Sequence, residues 1–406
     1  MRKTPCLFRQ HIGWHFQNHW KVQGRRRPLD TGIENILNEK GIQVENPREF
    51  LKEKVIHERV EVVGYKNKVT PQDKTHPNWH DQPLLTFKDN NVLLEGLPQA
   101  KMLTNSVEIK EGLPETVQLP EITKELNRRI KKVILGSKIF DAEQVKLPKV
   151  KDPERPAWNF PRSYGISQNR AYNLLFSKLL SVIESSSDLE LVKQRYLTNN
   201  VNFSYSFEKN GDLVQFQLTG DFVLLSKTPL NPVTTQSTKE FDLPDLYPIK
   251  PTITLNEENI YVVEDTYPVK KGSPVYHPHT IFINFDKEVV KNLFEEEVTQ
   301  SQIYARNLIK TFTAAASYAK ALYGSNVKNL PTPVTLQAIQ TDGKTFHFGI
   351  LQLNTLDVDS KETKNVWYQT PGLPLFEKCG YDLGKPVLAG YNKDVVRHIL
   401  AFYNSK

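Results

Sequence analysis

With 406 residues, 38% hydrophobic and 24% charged, the chain can bury a core and form one large domain or two to three ordinary ones. No apolar stretch approaches the roughly 18 residues of a membrane-spanning helix, so no helical span is expected. Two distant cysteines, Cys6 and Cys379, make neither a disulfide framework nor a C-x-x-C zinc site, and favour a reducing compartment over one long-range disulfide.

The formal net charge of +7 resides in residues 1–28, which carry Arg2, Lys3, Arg9, Lys21, Arg25, Arg26 and Arg27 and no acid; without them 46 basic residues face 46 acidic ones. Phe8, Ile12, Phe16 and Trp20 recur every four residues. An Arg-rich, acid-free, amphipathic opening predicts a mitochondrial import presequence over 1–28. Its few serines depart from that pattern, and a retained basic arm on RNA or a membrane surface is the competing reading. Residues 29–83 read as an extended polar arm, with a short helix over Pro47–Val55 and an irregular docked segment THPNWHDQP at Thr75–Pro83.

A large domain is expected over 84–406. Gly96 and Gly112, in two EGLP repeats, mark chain reversals. Ile122, Leu126, Ile130 and Val133 define the apolar side of a helix whose remainder carries Arg128, Arg129, Lys131 and Lys132. The strap 146–161 is rich in proline and charge. Residues 168–197 read as two helical pieces broken by the capping stretch SSSD. Val201, Phe203, Tyr205 and Phe207 alternate before Asn210-Gly211, predicting a hairpin with a type I′ turn. Strands are expected near Ile253, over Ile260–Val263 and over Thr280–Phe285. A long helix follows over Thr299–Tyr323, then a second hairpin around Asp342-Gly343 and a final helix over Lys393–Tyr403. Antiparallel hairpins interleaved with helices predict an α+β fold.

His277 and His279 could share one face of a strand and hold a metal, but no third-ligand motif accompanies them, and Pro278 suggests a rigid turn. His347, flanked by Phe346 and Phe348, must face the other side of its strand from both, either exposed or as a satisfied buried histidine. Asp357 and Asp359 resemble magnesium-binding acids, with a solvated loop as the competing reading. Phosphate-loop, dinucleotide and nucleophile-elbow motifs are absent, and Cys379 lacks the flanking features of a nucleophile. No catalytic, metal or cofactor residues are therefore assigned. Candidate RNA contacts are Arg128, Arg129, Lys131 and Lys132 on the helix, Lys149, Lys151 and Arg155 on the strap, and Lys270 and Lys271 before the histidine pair.

Three long stretches carry a resemblance. They are LLEGLPQAKMLTNSVEIKEGLPETV (93–117), NIYVVEDTYPVKKGSPVYHPHTIFINFD (259–286) and ALYGSNVKNLPTPVTLQAIQTDGKTFHFGILQLNTLDVDS (321–360), with NGDLVQFQLTG in register between them. Together they resemble the mitochondrial large-ribosomal-subunit protein thirty-seven family. The resemblance covers residues 90–406. It implies a non-catalytic structural constituent of the mitochondrial ribosome in the matrix, supporting mitochondrial translation, with no cofactor and no small-molecule substrate. Implied partners are large-subunit rRNA and neighbouring mitoribosomal proteins, including the related programmed cell death protein nine. The alternatives are a mitochondrial RNA-processing or ribosome-assembly factor, or a metal-dependent hydrolase using His277 and His279.

Overall fold

The structure is a computed structural model and describes residues 31–44, 72–147, 149, 154–155, 157, 163–268, 276–287, 289–293 and 296–406. The presequence reading, the helix over Pro47–Val55, and Lys151, Lys270 and Lys271 lie outside these residues. The chain divides into two units, Met1–Thr70 and Pro71–Lys406. The described part of the first holds one short helix, α1 (Ile33–Glu39), with none of its residues buried.

The second unit begins with β1 (Trp79–Lys88), α2 (Leu97–Thr104), β2 (Ser106–Val107), α3 (Lys124–Lys138), β3 (Val145–Lys146), β4 (Tyr164–Gly165), α4 (Gln168–Glu184) and α5 (Leu189–Val192). It continues with the hairpin β5 (Arg195–Lys209) and β6 (Asp212–Ser226), then β7 (Asn256–Ile260), β8 (His277–Asn284) and α6 (Gln300–Tyr323). Last come β9 (Asn329–Thr341), β10 (Thr345–Thr355), β11 (Asn365–Gln369), β12 (Leu373–Pro374), β13 (Lys378–Asp382), β14 (Lys385–Ala389) and α7 (Lys393–Asn404). The α+β reading holds, on a mixed sheet in the order β2-β11-β10-β9-β8-β6-β1-β7, with β5 also on β6 and β12 on β10. Three of its pairs are parallel: β1 with β6, β8 with β9, and β2 with β11.

The first hairpin forms as its turn chemistry dictates. Asn210 and Gly211 both take positive φ, 51° and 88°, as a type I′ turn requires. Zipping from that turn extends the ladder back to Arg195, so Arg195-Tyr196-Leu197 pair with Ser226-Leu225-Leu224 and do not end a helix as expected. The second helical piece is accordingly four residues long, capped by the Asp188 side chain. Ile253 lies in a turn, and its strand starts at Asn256. Trp79–Pro83 belong to β1, where the register with β7 shifts between Trp79 and Leu84, so the expected irregularity falls within a strand. Side chains of β7 and its flank replace ladder bonds there: Asn259 donates to the His80 carbonyl at 3.2 Å and Tyr261 to the Gln82 carbonyl at 2.8 Å.

Both faces of the sheet are covered. On one, α6 and α2 enclose Phe87, Tyr205, Phe207, Phe216, Ile281, Ile283 and Phe312, with the Phe207 and Phe216 rings edge-to-face at 5.1 Å. On the other, α3, α4 and α7 enclose Tyr172, Phe176, Phe222, Phe282, Phe346, Phe348 and Phe402. Alternate residues of β8 and β10 therefore serve opposite cores, which is why both strands are buried along nearly their whole length. A capping box at Thr299 and Gln302 starts α6, and Ala314–Ala316 keep its packed side thin. Gly349 on β10 leaves the space that the fully buried Trp367 ring fills: a Cβ there would lie 2.2 Å from the ring.

Candidate nucleic-acid interface

The two histidines of β8 do not converge. A register shift between Leu224 and Leu225, opposite Pro278, interrupts the two-residue alternation. It also accommodates the proline within a strand, where a turn was expected. His277 Nδ1 meets the Tyr318 hydroxyl of α6 at 2.5 Å. His279 is buried, with Nε2 3.1 Å from the Ser405 carbonyl beyond α7 and Nδ1 2.8 Å from Thr280 Oγ1. A carbonyl only accepts, so Nε2 carries the proton, while Thr280 Oγ1 beside Nδ1 donates its own proton to Gln337 Oε1 at 3.0 Å. Burial, reinforced by the Arg195 guanidinium, pushes His279 down to about 3 and holds it neutral. Among the described residues no group of three His, Cys, Asp or Glu side chains could hold a metal ion.

The other sequence candidates are likewise used by the fold. His347 does face away from Phe346 and Phe348; it is buried against Tyr304, ring centroids 5.4 Å apart, and burial pushes it down to about 4. Asp359 is 3.0 Å from buried Lys209 and accepts the Asn210 amide at 3.1 Å, so it holds the turn of the β5–β6 hairpin. Asp357 pairs with Lys328 at 3.5 Å. Burial pushes the half-buried Cys379 thiol up, which weakens it as a nucleophile.

One constellation has no local signature in the sequence. On one edge of β6, the carboxyl ends of β1 and β8 approach each other, β1 pairing up to Gln217 and β8 from Phe222. Between them the β6 backbone lacks a strand partner on that edge, and side chains supply one. Asp89 accepts the Thr219 amide at 3.0 Å, Lys310 donates to the Thr219 carbonyl at 2.7 Å, and Asp221 accepts the Asn284 amide at 2.8 Å. Lys310 also pairs with Asp89 at 2.6 Å, and Arg306, one helical turn earlier on α6, lies 3.7 Å from it. Burial works to raise the Asp89 pKa, but Lys310 and Arg306 outweigh it and hold the carboxyl below its usual range. Burial, with Arg306 adding to it, pushes Lys310 down to about 8. Two cations and two carboxylates close the gap where an open α/β sheet would leave a ligand crevice. Asp89 lies just past β1, Asp221 on β6, and Arg306 and Lys310 on α6, and only the last two, spaced i and i+4 on one helix, could have hinted at it.

Surface charge is concentrated on α3. Leu126, Ile130, Val133, Ile134 and Ser137 are buried, and Arg128, Arg129, Lys131 and Lys132 are all exposed on the rest of the helix. Arg129 donates to Ser185 Oγ at 2.9 Å, and Lys131 sits 5.0 Å above the Tyr391 ring. Arg128 and Lys132 are in no ion pair among the described residues. On the strap, Lys149 and Arg155 are exposed. The structure thus unites the four helical candidates on one element.

The described residues thus form a mixed sheet covered on both faces, with its histidines and buried charges engaged internally and a basic helix outside. Residues 286–406 match the family described as mitochondrial 28S ribosomal protein S30 (PDCD9). The large ribosomal subunit protein mL37 of Rattus norvegicus is 29% identical over 302 residues, 72% of this chain and 66% of its own length. That of Mus musculus is 30% identical over 297 residues, covering 71% and 66%, and that of Gallus gallus 27% identical over 362 residues, covering 82% and 78%. The chain belongs to the mL37 family, whose relation to PDCD9 shows in the segment from the end of β8 through α7.

Proposed function

We propose that this protein is a structural constituent of the large subunit of the mitochondrial ribosome, in the matrix, and that it supports translation by protein and rRNA contacts without catalysing a reaction. The observation that carries this is the similarity to mL37 proteins over 71–82% of the chain. The two family names point to different subunits. The large-subunit reading rests on the longer matches, whereas the 28S name attaches to a match over the C-terminal 121 residues, 286–406. Internal use of His277, His279, His347, Asp359 and Cys379 supports a non-enzymatic role. The Arg-rich residues 1–28 would direct import, and the shared C-terminal segment is the natural meeting point for a PDCD9-family partner.

Sedimentation of mitochondrial lysate tests the reading. The protein should migrate with the large subunit, at one copy per mature particle. Recovery only at the top of the gradient would refute it, and a substoichiometric amount confined to immature particles would make it an assembly factor.

A further inference from the structure

The basic helix does not stand alone. α3 carries six basic residues and one acid, Glu125. Lys124, Arg128 and Lys132 follow one another at i, i+4 spacing, with Lys131 beside them, so like charges stack along the ridge opposite the buried face. Such a ladder repels itself unless a polyanion compensates it. The β13–β14 hairpin packs on the same helix: Cys379 lies close enough to Lys138 for their charges to interact, and Lys131 covers Tyr391 just past the hairpin. Cys379 and Leu388 face each other across the hairpin and pack at the rim of the core, and Tyr381 and Pro386 are the next pair outward on that face. Beyond the core this hairpin buries nothing. Tyr381 is 59% exposed, and Leu383 at the tip is 99% exposed. Phe140, just past the end of α3, is 57% exposed. Exposed aromatic rings beside a basic ridge are what stacking on unpaired bases requires, whereas a duplex offers its phosphates but hides its base faces.

We propose that α3 and the β13–β14 hairpin form a binding surface for single-stranded or looped RNA. Arg128, Lys132 and Lys124 contact the phosphates, and Tyr381 and Phe140 stack on bases. The proposal rests on the ribosomal reading and specifies its RNA-binding site.

The test uses the full-length protein and fluorescence anisotropy with a labelled oligouridine of about 20 nucleotides, longer than a site of roughly 4–16. An RNA duplex of equal length is the control, and both are titrated between about 50 and 200 mM salt. The single strand should bind more tightly than the duplex. Combined Arg128→Gln and Lys132→Gln should reduce the salt slope by about 1.4, at roughly 0.7 for each phosphate that is no longer neutralised. Tyr381→Ala should weaken binding about ten-fold and leave the slope unchanged, because stacking releases no counterions. Phe140→Ala repeats that comparison away from the hairpin, and thermal melts followed by circular dichroism establish that each variant is folded. Equal affinity for strand and duplex, or variants that bind like the parent, would overturn the proposal. Co-sedimentation with the large subunit by a parent protein that binds no oligouridine would overturn this surface and leave the ribosomal role standing. Absence of the parent from the large subunit would overturn that role itself.

Discussion

Asp89→Asn is the most direct probe of the buried ionic joint between β1, β6 and β8. Asparagine keeps an acceptor for the Thr219 amide and nearly the same shape, so the change removes one charge and little else. Lys310 and Arg306, 3% and 6% exposed, would then face only Asp221. Leaving a buried charge uncompensated costs about 3–5 kcal/mol. With a urea slope of about 3 kcal/mol per molar for a unit of this size, the unfolding midpoint should fall by about 1–1.7 M. Lys310→Met alone should cost a similar amount, because it leaves Asp89 and Asp221 to share Arg306 and deprives the Thr219 carbonyl of its donor. The double variant should lose far less than the sum, since Arg306 and Asp221 remain as a balanced pair. Midpoints from tryptophan fluorescence and circular dichroism measure all three. A shift below about 0.3 M for Asp89→Asn, or strict additivity in the double variant, would refute the idea that these charges join the sheet.

Gly349→Ala should destabilise by about 3 kcal/mol, because the new methyl meets the buried Trp367 ring; combining it with Trp367→Phe, which removes the obstructing ring, should recover part of the loss in the same urea assay. His279 and His347 are held neutral at about 3 and about 4, so the unfolded chain binds more protons than the folded one below pH 6.5. Stability is therefore full above pH 6.5 and lost as the pH falls toward those values. At pH 5 each of these two should cost about 2 kcal/mol, and His279→Gln, whose amide can still donate to the Ser405 carbonyl, should reduce the loss between pH 7.5 and 5 by about that amount; an unchanged pH profile would refute this. Leu383 occupies the left-handed region at φ 47° on a tip exposed to solvent, so Leu383→Asn should slow amide exchange in the β13–β14 ladder about two- to five-fold. Unchanged exchange would show that the tip is not strained.

Local patterns determined much of this protein. The Asn210-Gly211 turn, the alternation along β5, the period of α3 and α6, and the caps at Thr123, Ser167, Asp188 and Thr299 all act between residues close in the chain, so they can be read directly from it. The basic ridge of α3 was visible for the same reason, since a helix with one apolar side must present its charges on the other. Tertiary structure decided what depends on pairing at a distance. It drew Arg195–Leu197 into a strand because β6 offered them partners, and it placed Pro278 at an irregularity that tolerates it. It also parted His277 from His279. Above all, it assembled Asp89, Asp221, Arg306 and Lys310 around one gap in the sheet and set the β13–β14 hairpin beside α3. These arrangements follow from strand register and sheet order, which arise from the collective burial of both faces of the sheet and leave no short-range trace in the amino-acid order.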